Sequence, residues 1–366
     1  ALDPADIINY VSKHDNETLW DNLQYTQHLA ADVDSETRVR IHSLSAAIGL
    51  VSQGIPFFQL GVDKLRSKSM DRNTYDAGDW FNKVDYTNAS NNWGVGYPIE
   101  RDGKYDTGIS NNINSAVTQT QIERASAVFN EFLQIRSGSP LFRLTTAEDI
   151  LDRVGFHNTG ADQTKGVIVM SIDDGTGLTD LDEDLDALVV MINGTEQIQS
   201  HTVNTASGFA LHPIQVSGTD TVVQSASFTE SEGAGTFTVP AHTLAVFIKA
   251  QSGGQGAGLA VDPDFVASPY GDVELEADAL NSESPLSYDD RGHYSLSFSI
   301  AAGTQEFNIQ DADGTTVNLT MDDVTIAADS VSIVAGSDAS FSVEFAESGS
   351  YELSLDTTLA TPELAI

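Results

Sequence analysis

Apolar residues recur at helical spacing in two segments of the first half of the chain. Residues 36–53 place apolar side chains on roughly one face, and Gly54 stands just past them, where glycine commonly ends a helix. Residues 119–136 repeat the pattern. The spacing predicts two amphipathic helices.

One short apolar run precedes the first helix, and another lies between the two helices. Residues 7–12 and 55–60 are typical of buried parallel strands, and with a polar loop over 61–115 the order favours a parallel α/β architecture. Two such strands need neighbours on both sides to be covered, and a complete barrel of eight units takes about 250 residues. The pattern therefore favours a truncated barrel over the alternative, a small separate α/β domain.

The pattern changes after about residue 150. Residues 166–172 and 187–192 are short β-type segments separated by Gly, Asp and Asn, which predicts an antiparallel sandwich. Residues 251–262 are rich in glycine and predict a flexible linker. Apolar and polar residues then alternate over 294–300 and 341–345, which predicts a second sandwich.

Charge narrows the range of partners. The 366 residues include 54 acidic and 17 basic side chains, a formal net charge of −37 that would repel phosphate backbones and anionic lipid. We therefore expect no nucleic-acid partner and, because no run of about 18 apolar residues occurs, no membrane span. A neutral polysaccharide or bound calcium is compatible with this charge, and so is a simple adaptation for solubility or salt.

The absence of cysteine excludes disulfides and thiolate metal sites. It is compatible with the cytoplasm or with an exported bacterial protein. The first residue is Ala1, and we interpret the chain as a processed or truncated product.

The candidate chemistry lies at the end of the first apolar run. That run stops at Lys13, His14 and Asp15, and in a barrel this position is the carboxyl-terminal face, where active sites are built. A carboxylate and an imidazole there can hold adjacent sugar hydroxyls. On spacing alone the alternative stays open that Asp15 caps the loop and His14 packs beneath it.

The string SKHDNETLWD at residues 12–21 resembles the last catalytic-region motif of glycoside hydrolase family 13, the α-amylase superfamily, in its pullulanase form. Further blocks resemble the same family in order and spacing, and they lie at residues 53–58, 65–69, 73–82 and 139–142. The resemblance implies a multidomain fold. Residues 1–148 would be the C-terminal part of a catalytic (β/α)8 TIM barrel, 149–250 an amylase-type β-sandwich, 251–264 a Gly-rich linker, and 265–366 an accessory β-sandwich that resembles glucan-associated modules.

The resemblance implies hydrolysis of α-1,6-glucosidic bonds in pullulan, amylopectin or limit dextrins with retention. Asp15 matches the third catalytic carboxylate, and His14 matches a histidine that assists the same sugar. Four loop residues would border neighbouring glucose subsites: Arg66, Tyr75, Asp79 and Asn82. A part in stabilising the loop stays open for Tyr75 and Asn82.

A retaining glycosidase also needs a nucleophile and an acid/base about 5 Å apart, which the family carries on earlier strands. We therefore predict that this chain alone is inactive. The acidic runs at 173–174 and 180–186 indicate solvated loops or a calcium site. The metal site is unknown, and no organic cofactor is expected.

The last module offers few sugar platforms, because no tryptophan follows Trp93 and Gly314 stands where related modules often carry one. Tyr270, Tyr288 and Tyr294 could stack on sugars or simply pack. We expect an α-glucan partner, a monomer, and a secreted or cell-surface bacterial location. The rival hypothesis is a non-catalytic glucan-binding or cell-surface protein, which needs exposed aromatic rings in the sandwiches.

Overall fold

The structure, a computed structural model of the chain, falls into two compact units. Unit 1 comprises residues 1–158 and 163–261, and unit 2 comprises residues 159–162 and 262–366. The residues described are 3–25, 32–76, 78–96, 109, 111–160, 163–231, 234–259, 273–277, 284–285, 287–288, 293–311, 324–325, 331–336, 341–356 and 363–365.

The α-helices of unit 1 are α1 (Leu19–Tyr25), α2 (Ser35–Val51), α3 (Asp79–Asn82), α4 (Gln119–Gly138), α5 (Ala147–Arg153) and α6 (Pro213–Val216). Short 3-10 turns cover Pro4–Asp6, Val62–Lys64, Ile113–Ser115, Pro140–Arg143 and Val223–Ser225. The two predicted helices are confirmed as α2 and α4.

Both long helices begin at a polar cap. The Asp34 carboxylate accepts the Thr37 N–H at the start of α2, and Thr118 forms a capping box with Gln121 at the start of α4. The end of α2 is satisfied from α4, because the buried Arg136 guanidinium donates to the carbonyls of Leu50, Ser52 and Gly54.

The strands of unit 1 are β1 (Ile8–Asn9), β2 (Ile55–Pro56), β3 (Val154–Phe156), β4 (Val167–Asp173), β5 (Leu185–Asn193), β6 (Gln199–Asn204), β7 (Phe209–Leu211), β8 (Ser227–Ser231), β9 (Ala234–Val239) and β10 (Thr243–Ala250). They form a parallel pair β1-β2, a sheet in the order β3-β4-β5-β10-β7, and a sheet in the order β6-β9-β8. The last two are antiparallel. No closed barrel is formed by the strands in the described ranges.

The strand β5 lies in the middle of three layers, and all nine of its residues are buried. Leu188 and Val190 pack with α2 and α4 in one apolar cluster. Val189 and Met191 face the opposite way, into a cluster shared with β6 and β9. Residues on both sides of the predicted boundary at 148 thus contribute to one core.

Unit 2 is built from antiparallel sheets with one parallel edge pair. Its strands are β11 (Val273–Ala277), β12 (Ser284–Pro285), β13 (Ser287–Tyr288), β14 (His293–Ile300), β15 (Gly303–Asp311), β16 (Val324–Thr325), β17 (Val331–Gly336), β18 (Phe341–Phe345), β19 (Gly349–Asp356) and β20 (Glu363–Ala365). The sheet orders are β12-β11-β15-β18-β17 and β13-β14-β19-β20-β16, in which β16 and β20 are parallel. The alternation predicted over 294–300 is confirmed, since Tyr294, Phe298 and Ile300 are buried.

Candidate active site

The parallel pair β1-β2 positions the candidate site. Ile8 lies opposite Ile55, and the Ile55 N–H donates to the carbonyl of Ile7 at 2.9 Å. Gly54 permits this approach: its φ is +93°, and a Cβ there would lie 2.9 Å from that same carbonyl oxygen. The strands predicted at 7–12 and 55–60 are therefore present and parallel, but each is only two residues long.

The prediction that these two runs are buried is wrong for this chain. Ile8 is 56% exposed and Ile55 is 47% exposed, and Ile7, Phe57 and Leu60 are also exposed. The physical reason is that the two strands pair only with each other among the described residues, so no neighbouring strand covers either outer edge.

His14 and Asp15 lie in the loop that follows β1. His14 Nδ1 is 3.2 Å from Asp15 Oδ1, and the other carboxylate oxygen, Oδ2, accepts from Lys13 Nζ at 3.3 Å. The hydrogen bond from Lys13 is the largest influence that lowers the pKa of Asp15, and the charges of His14, Lys13 and Lys68 add to it. The His14 side chain is 85% exposed, so the alternative in which it packs beneath the loop is wrong.

Arg66 and Asn82 meet in the long polar loop after β2. Arg66 donates to the carbonyls of Leu60 at 3.0 Å and Asn82 at 2.8 Å. The Asn82 side chain in turn holds Thr74 through two hydrogen bonds of 2.9 Å. Burial is the main cause that lowers the pKa of Arg66. These two candidates therefore shape the loop directly.

Tyr75 and Asp79 occupy the outer part of the same loop. The Tyr75 ring is exposed, and Asp79 is the exposed first residue of α3. Among the contacts between described residues, none joins either of them to His14 or Asp15. The structure thus leaves their predicted roles at the glucose subsites as predictions.

Three contacts tie the His14–Asp15 loop to the segment after β2. Arg72 Nη2 donates to Asn16 Oδ1 at 3.0 Å, and Lys68 Nζ donates to the His14 carbonyl at 3.4 Å. Nearer the strand, Ser12 Oγ donates to Gln59 Oε1 at 2.9 Å. The loop that carries the candidate pair is therefore anchored from one side.

Sequence reasoning missed a buried carboxylate beneath this anchor. Asp21, on α1, accepts from Ser67 Oγ at 2.5 Å and from the Lys68 N–H at 2.7 Å. Burial raises the pKa of Asp21 to about 6 against these stabilising hydrogen bonds. Asp21 and Lys68 both lie in the motif blocks at residues 12–21 and 65–69. Only their burial in the structure distinguishes them from the other charged residues of these blocks.

The acidic residues of the three-layer core hold backbone and guanidinium groups. Asp174, fully buried, pairs with the buried Arg153 and accepts the N–H groups of Leu181 and Asp182. Asp186 accepts the N–H of Gly256 at 2.7 Å. The solvated-loop interpretation is therefore wrong for Asp174 and Asp186. In the described part of the chain no group of three or more His, Asp or Glu side chains could hold a metal ion, and the calcium prediction stays a prediction.

The first nine residues of the predicted linker lie against unit 1. The Gln255 side chain donates to the carbonyls of Asp174 and Leu178, and the Thr176 N–H donates to the Gly256 carbonyl at 2.7 Å. Leu259 is completely buried in the core. These contacts differ from the predicted flexibility over 251–259, because glycine lets the backbone approach the acidic loop closely.

A histidine and the predicted aromatic platforms lie outside the candidate site. His157 shares a hydrogen bond of 2.8 Å with Ser171. Tyr294 is fully buried in the core of unit 2. Tyr270, Gly314 and the Tyr288 side chain lie outside the described residues.

No helix among the described residues combines the length and the apolar character needed to cross a membrane.

The chain is similar in sequence to pullulanases. Residues 88–250 match the sequence model of the family described as alpha-1,6-glucosidases, pullulanase-type, C-terminal. The pullulanase of Klebsiella pneumoniae is 40% identical over 265 residues, 71% of this chain and 24% of that protein. Pullulanase 1, chloroplastic, of Arabidopsis thaliana is 39% identical over 260 residues, 68% of this chain and 26% of that protein.

Solved structures of pullulanases also match the chain. The K. pneumoniae pullulanase complexed with maltotriose matches with a TM-score of 0.65 at 39% identity, over 72% of this chain and 25% of that one. The apo pullulanase of the same organism matches with a TM-score of 0.65 at 40% identity, over 72% and 28%. The chain spans about a quarter of the length of these relatives. The matched domain and these relatives together identify the chain as a C-terminal portion of the pullulanase type.

Proposed function

We propose that this chain is part of a starch-debranching glycoside hydrolase that cleaves α-1,6-glucosidic bonds in pullulan, amylopectin or limit dextrins with retention. One observation carries the proposal: the exposed His14–Asp15 pair lies in the loop after the parallel strand β1, and the groups around Asp15, Lys13 first, lower the pKa of its carboxyl. An accessible carboxylate at that place suits the binding of sugar hydroxyls.

The uncovered strand pair supports the assignment of residues 1–148 to a (β/α)8 barrel. Parallel strands are normally covered on both faces, yet Ile8, Ile55 and Phe57 are about half exposed. Further strands of the same sheet would cover these exposed apolar side chains. In this proposal the other strands come from outside the chain, and the antiparallel sheets that follow are β-sandwiches.

Each candidate residue has a proposed role. Asp15 binds hydroxyls of the sugar at the cleavage point and stabilises positive charge as the bond breaks, and His14 holds the same sugar. Arg66 and Asn82 shape the neighbouring loop by the bond between them. Tyr75 and Asp79 border the adjacent glucose subsites.

The nucleophile and the acid/base of a retaining mechanism would come from barrel strands outside this chain. We therefore propose that the 366 residues alone do not turn over substrate. An assay of the full-length protein and of the chain on pullulan tests this, with the anomeric form of the first product followed by proton NMR. Turnover by the chain alone, or inverted product from the full-length protein, would contradict the proposal.

The rival glucan-binding function needs exposed aromatic platforms. In the described part of unit 2, Tyr294, Phe298, Phe307 and Phe345 are buried in the core. No observation there favours sugar binding. An α-glucan substrate, a monomeric state and export from a bacterial cell complete the proposal.

A further inference from the structure

Lys68 is a buried cation with few partners. Its side chain is 1% exposed, and its ammonium donates to the His14 carbonyl at 3.4 Å. None of the ion pairs between described residues includes it. An ammonium carries three donors, and burying a charge without a close counter-ion is costly, so this placement requires a reason.

The backbone around Lys68 is held in uncommon conformations. Leu65, Ser69 and Met70 have φ values of 57°, 52° and 64°, in the left-handed region that non-glycine residues rarely adopt. Such strain persists where surrounding contacts over-determine it, and it concentrates at functional sites. The Asp21 carboxylate holds the segment between these residues by accepting from Ser67 and from the Lys68 N–H.

Lys68 interacts electrostatically with groups in and around the candidate site. Burial is the main cause that lowers the pKa of Lys68, and Arg66 adds to it, while Asp21, Asp71 and Glu17 favour the charged form. Asp15 in turn faces three groups that favour its ionised form: Lys13, His14 and Lys68. Lys13 and His14 are exposed, whereas Lys68 is not. A buried charge is screened by salt less than an exposed one.

We propose that Lys68 is a positioning residue of the active site: its buried ammonium holds the His14 carbonyl and supplies a fixed positive charge near Asp15. The loop is then rigid and Asp15 stays ionised while sugar hydroxyls bind. This inference rests on the proposed role of Asp15 in hydrolysis.

The test is the Lys68→Met variant of the full-length protein, assayed on pullulan across pH at low and high salt. We expect kcat to fall about tenfold or more with KM changed less than about threefold, because the loss falls on the transition state. The acidic limb of the pH profile of kcat should move to higher pH at both salt concentrations. In Lys13→Met a similar shift should disappear at high salt. Lys64→Met, in the same segment but bonded to Asn88 and Asp63, is the matched control and should behave as wild type.

Two results would overturn the inference. One is a wild-type kcat and acidic limb in Lys68→Met, and the other is a lower kcat with an unmoved limb, which a merely structural lysine would give. Lys68→Arg guards against misfolding, because it keeps the charge and should keep the limb in place. If Asp15→Asn is inactive while Lys68→Met is normal, only this inference fails. If Asp15→Asn is fully active, the proposed function fails with it.

Discussion

The central strand β5 and the pair β1-β2 carry the same kinds of side chain in opposite surroundings. All nine residues of β5 are buried between α2 and α4 on one side and a second sheet on the other. Ile8 and Ile55 of the pair are about half exposed. An apolar run therefore indicates a strand, but its neighbours decide whether the strand is buried. The strand β5 is thus part of a core that the chain completes by itself, whereas the pair β1-β2 leaves an edge to which further strands could be added.

The largest expected effect lies at the exposed region. Asp15→Asn in the full-length protein should lower kcat about a thousandfold or more, because in the proposed mechanism the carboxylate acts mainly on the transition state. Thermal unfolding should be unchanged, since Asp15 is exposed. Initial rates on pullulan measure the effect, and Asp184→Asn, an exposed carboxylate in the loop before β5, serves as a control. Near-normal turnover would remove Asp15 from the site.

The next effect compares the two strands directly. Leu188→Ala in β5 should lower the free energy of unfolding of the chain by about 2–5 kcal/mol, because it opens a cavity in a core shared by helices and sheet. Ile55→Ala should cost less than about 1 kcal/mol in the chain, and more in the full-length protein. Urea unfolding of both variants in both contexts gives the values. Equal losses in the two contexts would argue against a barrel that covers β2.

Two buried titratable groups should make stability depend on pH with opposite signs. Burial lowers the pKa of His42 from 6.5 to about 4, so the unfolded chain binds the proton first and stability falls by up to about 3 kcal/mol as pH drops from 6.5 to 4. Burial raises the pKa of Asp21 from 3.8 to about 6, so the folded chain binds the proton first. The contribution of Asp21 to the free energy of unfolding therefore rises by up to about 3 kcal/mol as pH falls from 6 to 4.

Variants separate these two contributions. The stability difference between wild type and His42→Gln should shrink on acidification, while that between wild type and Asp21→Asn should grow. Urea midpoints at pH 7, 5.5 and 4.5 give both differences, and the other carboxylates cancel in each. Parallel pH curves for wild type and both variants would contradict the assigned burial.

The smallest of these effects concerns the link between α2 and β2. Arg136→Met should cost about 2 kcal/mol, because three carbonyls at the end of α2 lose a buried donor. Arg143→Met, an exposed arginine with one long bond to Ser137, is the control and should be nearly neutral. Urea unfolding of both variants tests the difference. A loss no larger than that of the control would show that water replaces the guanidinium.

Local patterns predicted much of the framework. The helices α2 and α4 begin and end within two residues of their predicted bounds, because their caps and apolar spacing are written in adjacent residues. The candidate site was predicted less completely. His14 and Asp15 were singled out from a strand end and a motif, while Asp21 and Lys68 were missed because their burial depends on segments nearly fifty residues apart.

The sequence by itself determined the helices, the β-type segments, the resemblance to pullulanases and the position of His14 and Asp15 after a strand. These depend on near neighbours, whose spacing and chemistry the chain order shows directly. Only the tertiary structure decided that β5 is buried on both faces, that acidic side chains hold the glycine-rich segment, and that Lys68 lies beneath His14. Each of these depends on contacts between distant segments, and burial, which sets both pKa values and packing energy, exists only once those segments meet.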